Sequence, residues 1–305
     1  MDLELTDEQT MLSEALTTLL EREWLPAETA HTATPEQRAR LWSALQEFFD
    51  ADLGAVELCL AARLLGAHLA STPFVGSAAL RYVGVPHTER VAIALPATPV
   101  EHAAEVDRFA VVGEGTIALV AAADATIEPA ASLDIGTPLF TVTADGGELH
   151  EVDVARLTAI GALLAAAESV GAAERMLSDA RAYAAERRQF GRAIGEFQGI
   201  RWKLADMAIK LDAARLLIHR AAVQAGRGFP DALDAAKAKT FAAETAQEIT
   251  SQALQIHGAA GYGRTLPLER MVRDARMFAI GGGTLEMMRN LIADRLLPTR
   301  SNWRG

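Results

Sequence analysis

Residues 186–198 read ERRQFGRAIGEFQ. Before them, Asp153–Arg187 is a long run of helix formers, which at 1.5 Å per residue would extend roughly 50 Å. After them the helical spacing resumes, so the segment marks a break between two long helices, near Gly191–Gly195. Arg187 stands at that break and offers a fixed guanidinium fork, the group best matched to a pair of phosphate oxygens. Phe190 and Phe197 can flank a flat ring system, and Gln198 can donate and accept hydrogen bonds at once. Read singly, the arginine is a solvated surface residue and the phenylalanines are core. The pattern acquires more meaning only with its neighbours.

Further breaks near Gly226–Pro230 and Gly258–Leu266 divide residues 153–298 into segments that suit a four-helix bundle with one dominant helix. The first 86 residues also read as helical. Thr6-Asp7-Glu8-Gln9 is a capping box, and Thr34-Pro35-Glu36-Gln37 joins a cap to a proline at the first helical position. Val56–Leu69 is apolar nearly all round and belongs inside the helical layer. From about Val91 to Val152 the pattern becomes short β-branched runs, VAIAL, FAVV, TIALV, FTVTA and ELHEV, which predict a small β domain. Asp145-Gly146-Gly147 predicts a hairpin between the last two. Gly113-Glu114-Gly115 begins a GxGxxA match by letter, but the following TIALV reads as strand. A dinucleotide-binding turn needs a helix there, so the glycines predict a hairpin turn. The expected organisation is mainly α with a small central β domain: residues 1–88 N-terminal helices, 89–152 β domain, 153–305 C-terminal bundle.

The chain has 305 residues, 50% of them hydrophobic, a net charge of −11 and a pI near 5.2. That balance repels nucleic acid and anionic membrane surfaces, which leaves small molecules or proteins as partners. A single cysteine, Cys59, excludes an intrachain disulfide and any CxxC metal site. The charged start, MDLELTDEQ, lacks the apolar core of a signal peptide, so a cytoplasmic location is expected. No uncharged apolar run reaches the ~18 residues that span a bilayer; the closest, Leu157–Ala167, continues into Glu168 and reads as a buried helix segment.

Two more segments complete the pattern: Gln255–Arg276, QIHGAAGYGRTLPLERMVRDAR, and Ile280–Leu297, IGGGTLEMMRNLIADRLL. With residues 186–198 they resemble the C-terminal bundle of the acyl-CoA dehydrogenase family. Its patterns RxxFGxxIxxFQ, QxxGGxGY…RxxRDAR and GGTxEIxRNxIAxRxL occur in this order. The resemblance is strong over residues 153–298 and loose before them. It implies an acyl-CoA dehydrogenase-like fold and FAD as cofactor. It also implies that Arg187, Gln189, Phe190, Gln198, Gln255 and Gly258 reach across to the flavin dinucleotide of a neighbouring subunit, and that Thr284 and Glu286 meet a dinucleotide near a helix N-terminus. Ala259 departs from the pattern, standing where the second glycine is usual. His257 reads as a packed or capping residue, because no second ligand stands at metal spacing, and no metal site is expected. Arg270, Arg273, Asp274 and Arg276 are expected in surface or inter-subunit ion pairs.

The family removes a proton from Cα while a hydride leaves Cβ for the flavin, and its general base is a carboxylate desolvated enough to titrate near neutrality. The resemblance puts that base either just before GT in the last motif or on the first long bundle helix. In this sequence those positions are Gly282 and Gly161, and Ala162 stands where an arginine is often found. Neither glycine can take a proton through a side chain, so no catalytic residue is expected from these positions. Glu168, and more remotely Asp153 and Glu151, are the carboxylates a shifted helix could present in their place. The family's TExxxGSD-like segment, which contacts the flavin ring, is missing, and the region before the bundle is short.

A shortened chain of this kind resembles the non-catalytic subunit of actinobacterial heterotetrameric enzymes acting on steroid side-chain CoA thioesters. On that resemblance it completes the flavin site of a full-length catalytic partner in a two-plus-two assembly, and the partner binds most of the acyl-CoA. Two other readings stand: a homo-oligomeric dehydrogenase with a relocated base such as Glu168, and a flavin-free scaffold or binding subunit.

Overall fold

The computed structural model describes residues 4–26, 29, 32–49, 53–133, 137–225, 231–263 and 265–297; the break expected at Gly226–Pro230 lies outside them. Four helices come first: α1 (Asp7–Glu23), α2 (Pro35–Phe49), α3 (Ala55–Ala67) and α4 (Phe74–Tyr82). The first two begin where their caps predict. Gln9 N–H donates to Thr6 Oγ1 at 3.2 Å while Thr6 N–H donates to Gln9 Oε1 at 3.1 Å. Thr34 and Gln37 repeat the exchange at 2.8 and 3.3 Å. Each exchange satisfies two backbone donors that a helix start would otherwise leave unpaired.

Seven strands follow: β1 (Val91–Ala94), β2 (Val100–Glu101), β3 (Arg108–Val112), β4 (Thr116–Ala121), β5 (Thr126–Ala130), β6 (Leu139–Thr143) and β7 (Glu148–Glu151). They form two sheets, ordered β1-β3-β4-β7 and β2-β6-β5, with only β1 and β3 parallel. The Gly113–Gly115 turn joins antiparallel β3 and β4 as expected; Gly115 has φ +75° and Gly113 N–H donates to Thr116 O at 2.9 Å. The hairpin expected at Asp145-Gly146-Gly147 does not form, because β6 and β7 lie in different sheets. The glycines serve a crossing instead. At Gly147, φ is +95°, and a Cβ would stand 2.5 Å from Leu119 O. The sequence reading also missed β2, only two residues long, and β5, where Pro129 is tolerated because the strand lies at a sheet edge.

The bundle comprises α5 (Val154–Glu186), a small hairpin of β8 (Arg188–Gln189) and β9 (Arg192–Ala193), α6 (Gln198–Ala225), α7 (Ala232–His257), a single turn α8 (Ala259–Tyr262), α9 (Leu268–Met277) and α10 (Leu285–Leu296). Asp153 caps α5, its carboxylate accepting from Arg156 N–H at 3.0 Å. By length and composition α5 could cross a membrane, but in this fold it is mostly buried between α3 and α4 on one side and α6 and α7 on the other. The α3–α5 contact is backbone against backbone: a Cβ on Gly66 would stand 2.0 Å from Glu168 O, and one on Gly171 1.8 Å from Arg63 O. Through this contact one apolar core runs from Leu16 in α1 to Ala275 in α9, while the strands enclose a smaller core around Phe109.

Candidate functional site

At the C-terminal end of α5 the sequence turns sharply. Arg187 leaves the helix in extended conformation, its N–H donating to Tyr183 O at 2.8 Å. β8 and β9 then pair antiparallel, and Phe190 and Gly191 form the two-residue turn between them with φ of +51° and +82°. Both dihedrals suit the primed turns that close tight hairpins. A bulky L-residue pays strain in that region, and Phe190 is also 91% exposed. Phe197 lies edge-on to it at 6.2 Å between centroids, and the Arg192 guanidinium stacks 4.0 Å over the Phe197 ring. Arg187, Gln189 and Gln198 are exposed around this platform.

The second motif arrives at the same end. His257 is 6% exposed, stacks on Tyr183 at 4.4 Å and has Nδ1 2.8 Å from Ala253 O, so it is packed as expected. Tyr183 is one turn before Arg187, which brings the exposed Gln255 and the Gly258 turn towards the hairpin. Gly258 closes α7 with φ +59°, its N–H shared between Leu254 O and Gln255 O. Arg273 pairs with Glu269 at 2.7 Å and Arg276 donates to Gln247 at 2.9 Å. Arg270 departs from the expected surface pairing. It is 3% exposed, and its Nε and Nη1 have no hydrogen-bond partner among the described residues, because α9 packs this part of its length against α5 and α7.

The third motif lies elsewhere. From Gly161 to Tyr183 along α5 is roughly 33 Å at 1.5 Å per residue, and the glycine triplet sits beside Gly161. A Cβ on Gly282 would point to within 3.4 Å of Ala165 Cβ, 3.6 Å of Lys239 Nζ and 3.7 Å of Gly161 O. The two positions that the family pattern reserves for a base thus converge on one spot, and both are glycine. Thr284 caps α10, accepting from Met287 N–H at 3.3 Å, and Glu286 is exposed in the first turn. Neither is brought together with the Arg187 group.

Glu168, already named as a substitute base, and two groups that sequence reading passed over, Lys239 and Glu101, define the electrostatics near that spot. Lys239 is fully buried on α7 and donates to Gly281 O at 2.7 Å, so it holds the glycine turn. Burial pulls its ammonium down to about 8, against the attraction of Glu168 and Glu101. Glu168 keeps part of its surface accessible yet lies deep among protein atoms; burial first, then the charge of Glu101, pushes its carboxyl up to about 8, with Lys239 opposing. The signal for Lys239 was present: it interrupts the small apolar stripe of Ala235, Ala238, Ala242 and Ala246, where a lysine is out of place unless paired. Glu101 could not be anticipated, because only the fold carries β2 to this end of α5.

Residues 154–297 match the family model described as acyl-CoA dehydrogenase, C-terminal domain. The match covers the bundle and leaves the N-terminal helices and the strands β1–β7 outside it. Its relatives include the 3-sulfinopropanoyl-CoA desulfinase of Cupriavidus necator, 54% identical over 129 residues, which are 42% of this chain and 32% of that protein. The short-chain specific acyl-CoA dehydrogenase of Clostridium acetobutylicum is 38% identical over 161 residues, 53% and 39% of the two chains. The chain spans about a third of the length of the curated relatives it matches. The fold is shared over nearly the whole chain. Butyryl-CoA dehydrogenase from Megasphaera elsdenii superposes with a TM-score of 0.84 at 22% identity, covering 98% of this chain and 100% of that one. The ChsE4–ChsE5 complex from Mycobacterium tuberculosis gives 0.77 at 21%, with coverages of 98% and 100%. The relatives' names span desulfination and dehydrogenation, so the domain alone does not fix the reaction.

Proposed function

We propose that this chain is a catalytically incomplete subunit of an FAD-dependent acyl-CoA dehydrogenase, and that it completes the flavin site of a full-length partner. The observation that carries the reading is the convergence of Gly161 and Gly282 on one spot without a side-chain base. At the far end of α5 the parts that would face a partner's dinucleotide are intact. Arg187 and Arg192 offer charge to phosphate oxygens, Phe190 offers a bare ring to a flat heterocycle, and Gly258 lets the backbone approach closely. FAD held by Arg187, Gln189, Gln198, Gln255 and the Gly258 turn would supply the hydride acceptor, while Gly161 and Gly282 give this chain no side chain there to take the Cα proton. A subunit that gives up its own acyl pocket leaves space for a bulky acyl group opposite, which favours a substrate such as a steroid side-chain CoA thioester in a two-plus-two assembly.

Co-expression with a full-length acyl-CoA dehydrogenase chain should yield a stable complex with one FAD per pair, read from flavin absorbance against protein. Enoyl-CoA formation by this chain purified alone would sink the proposal. One observation favours a second reading, a homo-oligomeric enzyme: Glu168 is a partly accessible carboxyl with a raised pKa near the vacated base position. On that reading the chain alone carries flavin and turns over, and Glu168→Gln abolishes turnover.

A further inference from the structure

The α9 segment LERMVRDARM carries three arginines in three different settings. Arg273 is held by Glu269 at 2.7 Å, and Arg276, on the surface, donates to Gln247 at 2.9 Å. Arg270 is 3% exposed, and neither its Nε nor its Nη1 has a hydrogen-bond partner among the described residues. Its third nitrogen, Nη2, is not sealed in this way. Arginine stays charged at any pH a protein meets. A guanidinium taken out of water without a counter-charge is a costly arrangement, because its hydration is given up and nothing replaces it. Packing does not call for the charge, since Leu268, Met271 and Ala275 supply the buried apolar face of α9.

The helix itself says where a counter-charge fits. α9 starts after Pro267, which provides no side-chain cap, so the first-turn N–H groups and the positive end of the helix dipole lack that acceptor. The one acidic side chain of that turn, Glu269, is engaged by Arg273. Arg270 is the third residue of the helix, and long side chains on a helix lean back toward its N-terminus. Its guanidinium and the uncapped turn therefore lie toward the same end of α9. Nη2 belongs to both edges of the guanidinium fork, so an oxyanion that reaches it finds a second donor in Nε on one edge or in Nη1 on the other.

We infer that Arg270 and the first turn of α9 form a site for a small oxyanion, a carboxylate or phosphate group entering at Nη2. The inference goes beyond the proposed function and uses neither flavin nor a partner chain. Its test is to melt the full chain, purified alone, in sodium chloride, sodium acetate and sodium phosphate at one pH and equal ionic strength, followed by circular dichroism. Relative to Arg270→Met, the melting temperature of the unaltered chain should rise saturably by at least about 2 °C in one of the two oxyanions. The arm with the larger difference identifies the group as carboxylate or phosphate. General salting effects act on both chains and cancel in that difference. Arg276→Gln, which removes an exposed arginine of the same helix, should keep the full response. In chloride, Arg270→Met should melt within about 2 °C of the unaltered chain or above it, because it removes an unpaired buried charge. Equal responses of the unaltered chain and Arg270→Met in both oxyanions would overturn the inference. So would a larger loss on Arg270→Met in chloride, since the fold itself would then be using the charge. Failure of the proposed function would be seen separately, as absence of a complex on co-expression.

Discussion

Glu168 and Lys239 sit where the fold could least afford uncompensated charge, and their titration should be visible in stability. The Glu168 carboxyl is raised to about 8, so the folded state holds a proton that the unfolded chain releases above about 4.5. Its contribution is complete below that range and is lost as pH rises to 8. Lys239 is lowered to about 8 from 10.5, so its contribution is complete only above 10.5 and is lost as pH falls to 8. The melting temperature, followed by circular dichroism, should therefore decline between pH 5 and 8 and recover above 8. Glu168→Gln should flatten the declining limb. A lysine on the buried alanine stripe of α7 was readable as anomalous, but its acceptor, the Gly281 carbonyl, follows only from a turn that folds back over 42 residues of chain.

At the scale of elements, the contact between α3 and α5 is the joint on which the architecture depends. Gly171→Ala would drive a methyl into Arg63 O, and Gly66→Ala one into Glu168 O; both neighbours are helix backbone and cannot yield cheaply. Each should cost about 3 kcal/mol or more, a fall of roughly 5 °C in melting temperature. Gly161→Ala, where a Cβ meets nothing within 4 Å, should instead be neutral or stabilise by up to about 1 kcal/mol. The helices were largely legible because caps and apolar periodicity are local signals: Thr6, Thr34 and Asp153 each start a helix where expected. The strands were legible as strands but not as a topology. Nothing local distinguishes Gly146-Gly147 in a hairpin from the same pair in a crossing, since what decides is whether β4 or β6 lies beside β7.

At the scale of the whole molecule, the motifs expected to meet a dinucleotide fall toward the two ends of a 33-residue helix. Spacing in sequence could not reveal this, because α7 brings Gln255 back to the hairpin while α10 begins at the other end. Phe190→Ala and Arg187→Ala should lower FAD retention of the assembled complex at least about tenfold, measured by flavin release on dilution, and leave the melting temperature of the isolated chain within about 1 °C, because neither side chain packs in its own core. The central position of α5 also bears on synthesis. Its two sides are covered by helices that precede it and by helices that follow it, and α7, which packs along much of its length, is complete only at His257. A nascent chain that has made residue 186 must add about 70 more before that side is sheltered, some 4–14 s at ordinary elongation rates. Through that interval the ribosome presents an unprotected oily rod, which makes chaperone capture during translation a condition of good yield.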